Sequence, residues 1–248
     1  MVNSLQSLLT GSMPDEQQRI SEVLEAGVEK PQVLFWQYDR AAIIMGCSQR
    51  PDEGQICRSE SAGLAIIRRR SGGGAVLAGP WMLSVTVFIP PDHPVAKQNI
   101  IEIFSWLEQI WIDSLRACGV PCRGVDQAMI DNSKTISQQQ DLKWACYASL
   151  SHGEVVSEDG RKLVGLAQIR KRKGVALVSG LHLYPSDWSL LSSVVVDNAL
   201  QGNILEQLNS DAQSLSGTAA ETLLPDLINA FAERIPEDFI LAKRYSFF

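Results

Sequence analysis

Long apolar runs are missing from this chain. Nothing in its 248 residues approaches the ~18 to 20 consecutive apolar residues of a membrane span, and Met1 to Met13 lacks the basic start and apolar core of a signal peptide. These absences point to a cytoplasmic protein with no membrane contact. Cysteine is scarce as well. Cys47, Cys57, Cys118, Cys122 and Cys146 are odd in number and scattered, which excludes a disulfide framework and suits a reducing compartment. Cys118 and Cys122 have a metal-ligand look, but no second pair or nearby histidine completes a tetrahedral site, so no metal is expected. A surplus of positive charge is also lacking. The formal net charge of −6 argues against general nucleic-acid binding, which leaves a basic footprint over a domain. No internal repeat or domain-sized linker appears, and 45% hydrophobic content is enough to build one large core.

What is present is concentrated in one loop, Arg68-Arg69-Arg70-Ser71-Gly72-Gly73-Gly74-Ala75-Val76. Consecutive glycines let backbone amides close around an anion, and arginine adds forked, permanently charged donors. The loop lies between two strand-like segments, Leu64 to Ile67, read as buried, and the alternating Leu83 to Phe88. A Walker loop would need Lys and Ser/Thr after the last glycine, and a dinucleotide fingerprint would open a helix. Neither fits.

The remaining pattern predicts a mixed α+β fold. A first helix is expected over about Asp15 to Ala26, with Ile20, Val23 and Leu24 on its apolar stripe. The best helix lies between Gln98 and Cys118, with Ile100, Ile101, Phe104, Leu107, Ile110, Trp111 and Leu115 on one face and Gly119 to stop it. Short strands are expected near Val120 to Cys122 and Gln127 to Ile130, followed by a flexible polar loop from Asp131 to Asp141. Glu154 to Val156 and Arg161 to Arg170 pair across Glu158-Asp159-Gly160, and Gly174 to Tyr184 forms a further strand. After Pro185 the pattern turns helical twice, about Asp187 to Leu200 and Thr218 to Ile235, so that residues 186 to 248 form a helical C-terminal part. Basic residues cluster at Arg68 to Arg70, Arg161 and Lys162, and Arg170 to Lys173. Lys171 and Lys173 read as a solvated hairpin tip.

Strand, arginines, SGGGAV, strand resembles the lipoate-protein ligase A family, within the biotin and lipoate ligases and octanoyltransferases. Leu34 to Tyr38 followed by Ile43 to Gln49 is similar to that family's paired strands ending in a Gly-x-x-Gln turn. Gly160-Arg161-Lys162-Leu163-Val164-Gly165-Leu166-Ala167-Gln168 resembles its second signature, a strand with an essential lysine. The resemblance covers much of residues 13 to 183. It implies a single catalytic domain over 1 to 248, with a mixed, largely antiparallel sheet packed by helices. The glycine loop and the three basic clusters are expected to converge with Lys162 at one edge of that sheet. The separate C-terminal domain of long ligases is expected to be absent or supplied by another chain.

The resemblance also implies a chemistry. A ligase of this type uses ATP and Mg²⁺ as co-substrates to make an acyl-adenylate of lipoate or octanoate. It then passes the acyl group to a lysine of a lipoyl-carrier protein, an E2 lipoyl domain of a 2-oxoacid dehydrogenase or the glycine cleavage H protein. Carried onto this sequence, Lys162 is the catalytic candidate. Arg69, Ser71, Gly72, Gly73, Gly74, Ala75, Val76, Gly165 and Ala167 are the candidate binding residues, with donors placed in advance for the growing negative charge. Val76, Leu77 and Val164 are expected to line a tunnel for the acyl chain.

Two departures bear on that reading. Ala78 stands where ligases usually carry a histidine, and Ser179-Gly180 replaces a His-Gly pair, with His182 close by. An alternative is an ATP-independent octanoyltransferase. Cys146-Tyr147-Ala148-Ser149-Leu150-Ser151-His152-Gly153-Glu154 resembles the Cys-Phe-x-x-Pro-Ser-x-x-Glu segment of one such branch, whose cysteine forms a thioester and whose donor is an acyl-carrier protein. The ligase is placed ahead of the transferase. A non-catalytic lipoyl- or carrier-binding protein is the third reading, and a biotin ligase ranks below it.

Overall fold

The computed structural model describes residues 7–242. The first half runs β1 (Leu8–Gly11), α1 (Met13–Ala26), β2 (Gln32–Tyr38), β3 (Ala42–Met45), α2 (Glu53–Ser61), β4 (Ala65–Arg68), β5 (Val76–Ala78), β6 (Met82–Ile89) and α3 (Ile100–Ala117). Then follow β7 (Cys122–Gly124), α4 (Gln127–Gln139), β8 (Val155–Ser157), β9 (Lys162–Lys171), β10 (Gly174–His182), α5 (Trp188–Val196), α6 (Ala199–Leu208), α7 (Ala212–Ser216), α8 (Ala220–Arg234) and β11 (Ile240–Leu241). Among the described residues no helix is long and apolar enough to cross a membrane.

Eight strands form the main sheet in the order β1-β2-β6-β10-β9-β8-β7, with β11 also against β2. Its central pairings are antiparallel, and β1 and β11 join β2 in parallel. A second sheet, β4-β3-β5, carries the glycine loop between β4 and β5. The strands of the pair expected at Leu34 to Tyr38 and Ile43 to Gln49 both exist, but they belong to different sheets and do not pair with each other.

Every residue of β6 is buried because helices or a second sheet cover both faces. One face presents Leu83, Val85, Val87 and Ile89 to a core that includes Trp111 of α3 and Phe231 of α8. The other presents Met82 and Phe88 to α1, the small sheet and α5. Burying a Leu, Val or Ile side chain contributes about 1.5–3 kcal/mol, so both layers are strong contributors. In α3 the apolar stripe is narrower than expected. Ile103, Leu107, Ile110, Trp111 and Leu115 are buried, whereas Ile100 and Ile101 in the first turn are 54% and 48% exposed.

Four expectations are corrected by the fold. Gln127 to Ile130 is no strand and Asp131 to Asp141 is no flexible loop; together they form α4. Asp126 caps it by accepting from the Met129 amide, and Ile130, Ser133 and Ser137 make its narrow buried face. The expected Asp187 to Leu200 helix is broken at Asp197, which adopts φ 55°, and Asn198 then caps a separate α6. Leu64 to Ile67 is only partly a buried strand, since β4 is an edge strand with exposed ends.

Candidate active site

The register of β8 with β9 decides where Lys162 points. Val155 opposes Val164 and Val156 opposes Lys162, so one step on β8 matches two on β9 and Leu163 is the extra residue of a bulge. Leu163 and Val164 both enter the core beneath α3. Without the bulge, Lys162 would share their side of the sheet. With it, Lys162 turns to the opposite face, its side chain 2% exposed, and its ammonium lies 4.7 Å from the centre of the Tyr147 ring. Its Nζ donates to the carbonyls of Cys146 and Ser149 at 3.2 and 3.1 Å and lies 2.7 Å from Glu154 Oε1. Burial raises the Glu154 pKa, and the Lys162 ammonium opposes that rise.

The glycine loop and the cysteine segment are joined by backbone. The Ala75 amide donates to Trp144 O at 2.6 Å, and the Cys146 amide returns a bond to Ala75 O at 2.9 Å. This closeness requires Gly74. A Cβ there would lie 2.6 Å from the Ala145 carbonyl carbon and 2.7 Å from the Cys146 nitrogen. Arg69 braces the loop, its Nη2 donating to Gly72 O at 2.7 Å and Gly74 O at 3.2 Å, and this nitrogen lies 3.6 Å from Cys146 Sγ. Among the described residues the amides of Ser71, Gly72, Gly73 and Gly74 have no acceptor. Gln49 ties the Gly-x-x-Gln turn to the same segment by accepting from Gly46 N and donating to Trp144 O. From the other side, Asn209 at the end of α6 donates to Tyr147 O.

Arg69, the loop, Cys146, Glu154 and Lys162 line one cavity of about 650 Å³ with Val76, Gly165, Ala167, Val178 and Gly180. Of the sequence-predicted residues, Arg69, Ser71 to Gly74, Val76, Cys146, Lys162, Gly165 and Ala167 therefore meet there. Ala75 is buried beside them and acts through its backbone. Leu77 and Val164 do not line the cavity, and Val164 faces the α3 core. The positive clusters meet only in part. Arg70 pairs with Glu25, where Lys173 also donates to the backbone, while Arg161 pairs with Asp159 and Arg170 bonds Ala96 O. The Ser179 hydroxyl accepts from Trp111 Nε1 of α3 and donates to Val85 O. His182 is walled in by Tyr147 and Trp188, with no hydrogen-bond partner on either ring nitrogen among the described residues.

Sequence reasoning missed four contributors. Glu154 entered only as a spacing mark, and Tyr147 only as part of the cysteine segment. Glu16 and Tyr38, bonded at 2.6 Å, form a buried polar pair in the cavity wall. Tyr147 lies across Gly165 and Gly180, donating from its hydroxyl to Gly180 O at 2.8 Å.

A buried lysine, a thiol and a row of unengaged loop amides around one apolar-floored cavity suit acyl transfer. Comparison with known proteins agrees. Residues 15–237 match the lipoyl protein ligase A/B catalytic domain, and the chain belongs to that family. It is similar to the octanoyltransferase LipM of Brevibacillus brevis, at 26% identity over 86% of this chain and 77% of that protein. It is also similar to lipoate-protein ligase A subunit 1 of Thermoplasma acidophilum, at 24% identity over 85% of this chain and 74% of that one. A crystal structure of lipoate-protein ligase A bound with ATP shares the fold, with a TM-score of 0.70 and 17% identity, covering 94% of this chain and 86% of that one. The protein is thus an enzyme of lipoyl or octanoyl transfer with the mixed α+β fold of lipoate ligases.

Proposed function

We propose that the protein is an octanoyltransferase in which Cys146 carries the acyl group as a thioester on its way to a lysine of a lipoyl-carrier domain. The observation that carries this reading is the position of Cys146. Its sulfur sits in the cavity wall 3.6 Å from Arg69, while Lys162 holds the carbonyl of the same residue. The names of similar proteins support it too, since relatives at 24% to 29% identity include several octanoyltransferases LipM.

In the first step the Cys146 sulfur attacks the carbonyl of an acyl-carrier thioester. A carbon–sulfur bond to Cys146 forms, the bond to the carrier breaks, and the proton lost by Cys146 leaves with the carrier thiol. In the second step the acceptor amine attacks the same carbon. The new amide forms, and Cys146 departs with a proton from the amine. Negative charge grows on the carbonyl oxygen in both steps, and the donors in reach of the cavity are Lys162 and the unengaged amides of Ser71 to Gly74. The acceptor class is an E2 lipoyl domain or a glycine cleavage H protein.

An ATP-dependent ligase is the second reading, supported by the same loop. Four amides without acceptors beside a guanidinium suit a phosphate as well as an oxyanion. Such an enzyme would bring ATP and Mg²⁺ to that loop, with Lys162 toward the acyl carbonyl.

Mass spectrometry of a lipoyl domain separates the two. The protein is incubated with octanoyl-acyl-carrier protein without ATP, or with lipoate or octanoate plus ATP and Mg²⁺, with Cys146→Ala in parallel. ATP-independent octanoylation lost in Cys146→Ala is expected. Modification that requires ATP and survives Cys146→Ala would replace the transferase with the ligase, and tight carrier binding without modification from any donor would leave a binding protein.

A further inference from the structure

The end of the cavity away from Cys146 is lined by Met13, Glu16, Tyr38, Met82 and Ser84. We propose that this end reads a neutral hydrogen-bonding group, such as a hydroxyl, thiol or amide, on the far part of the acyl chain, and that Glu16 is the residue that reads it. The proposal rests on the cavity being the acyl site and adds a substrate class to that reading.

Length comes first. Gly165 opposes Gly180, and Gly180 opposes Ser84, so the row crosses two strand spacings, about 9–10 Å. An extended chain of eight carbons is roughly 9 Å long. A carbonyl near Lys162 and Cys146 therefore places the chain's last carbons at the β6 side, against Glu16 of α1.

Chemistry comes second. Glu16 is fully buried. Its Oε2 accepts from the Tyr38 hydroxyl at 2.6 Å, but Oε1 has no hydrogen-bond partner among the described residues. Burial raises the pKa of Glu16, against the opposing effect of the Ser84 and Tyr38 hydroxyls, and so favours the protonated acid. A protonated carboxyl has both a donor and an acceptor to offer. The cationic residues lining the cavity, Arg69, Lys143 and Lys162, belong to its loop and Cys146 end. A plain alkyl end, octanoyl included, would leave Oε1 facing hydrocarbon with only the nearby Ser84 hydroxyl at hand and so bind more weakly, and a carboxylate end would meet a second acid without a cation. A hydroxyl, thiol or amide satisfies it.

The test is isothermal titration of the full chain with octanoate and with 8-hydroxyoctanoate, for the parent protein, Glu16→Leu and Glu16→Gln. The parent should bind 8-hydroxyoctanoate at least about ten-fold more tightly, because a site with a buried polar group discriminates against the ligand that leaves it unpaired. Glu16→Leu should abolish or reverse that preference, and Glu16→Gln should keep it. A merely structural Glu16 would weaken both acids in parallel, and that outcome overturns the proposal. So does a parent protein that binds octanoate as tightly as its hydroxylated analogue. If octanoyl transfer proceeds while the preference is missing, the proposed function stands and this inference falls. If neither free acid binds, this inference falls, while the proposed function, whose donor is a carrier thioester, is decided by its own transfer assay.

Discussion

Acid should destabilise this protein through His182 by an amount that can be worked out from its surroundings. The ring is 1% exposed, lies between Tyr147 and Trp188 at centroid distances of 4.7 and 5.2 Å, and has no acceptor among the described residues to share a proton with. Burial, with the nearby Lys162 ammonium as the smaller cause, lowers its pKa from 6.5 to about 3. The folded state therefore holds the ring neutral, while the unfolded chain takes up a proton below about pH 6.5. Between those two values the unfolded state binds more protons, so stability rises with pH through the window and is lost as pH falls. From pH 7 to pH 5 the linkage amounts to about 2 kcal/mol. For a chain of this size that is roughly 4–8 °C in midpoint temperature. The assay is thermal or urea unfolding at both pH values for the parent protein and His182→Leu. Subtracting the two pH differences removes the carboxylates common to both. The loss on acidification should be smaller by about 2 kcal/mol in the variant. Equal losses, or a His182 resonance titrating near 6.5 in the folded protein, would refute the reasoning.

Two further outcomes follow from the same geometry. Lys162→Ala strands Glu154 in the interior without its cation, and the loss should be about 3 kcal/mol by urea unfolding, of which adding Glu154→Gln restores a substantial part; additive losses would mean that the pair is not coupled. Gly74→Ala forces a Cβ against the Cys146 backbone, so acyl transfer to a lipoyl domain should fall by about 10²-fold, mainly in kcat. Transfer at the parent rate would show that the loop can move aside without disturbing Cys146.

The parts of this fold legible in the sequence are those whose signal is local and chemical. Three consecutive glycines mark a loop that packs closely on its neighbours, and Gly74 does lie against the Cys146 backbone. Glu158-Asp159-Gly160 marks a hairpin, and β8 and β9 flank it. The segment forming α4 does not read as a helix in sequence because its buried face is built from Ile130, Ser133 and Ser137, so an apolar stripe barely exists. Ser133 earns its place through bonds, donating to Ile130 O and accepting from Leu150 N, and hydropathy does not register those. Ile100 and Ile101 mislead in the opposite sense, since helical spacing shows a stripe but not which of its residues find a partner.

The site divides along the same line. Lys162 was visible as a residue type within a motif, but period-two alternation from Val164 would have sent it into the α3 core. Its true aim depends on the bulged Leu163, a feature of pairing between strands and invisible within one strand. Glu16 was hidden for a related reason. On an amphipathic helix a glutamate among Asp15, Gln17 and Gln18 reads as solvated, and only the docking of α1 over β2 and β6 turns it inward to Tyr38 and Ser84. The bulge turns Lys162 toward Cys146 and the docking of α1 brings Glu16 into the cavity wall, so on the proposed reading reaction and substrate choice rest on separate tertiary contacts. Substitutions at Glu16 should therefore change which acyl group is taken while leaving the Cys146, Arg69 and Lys162 geometry in place.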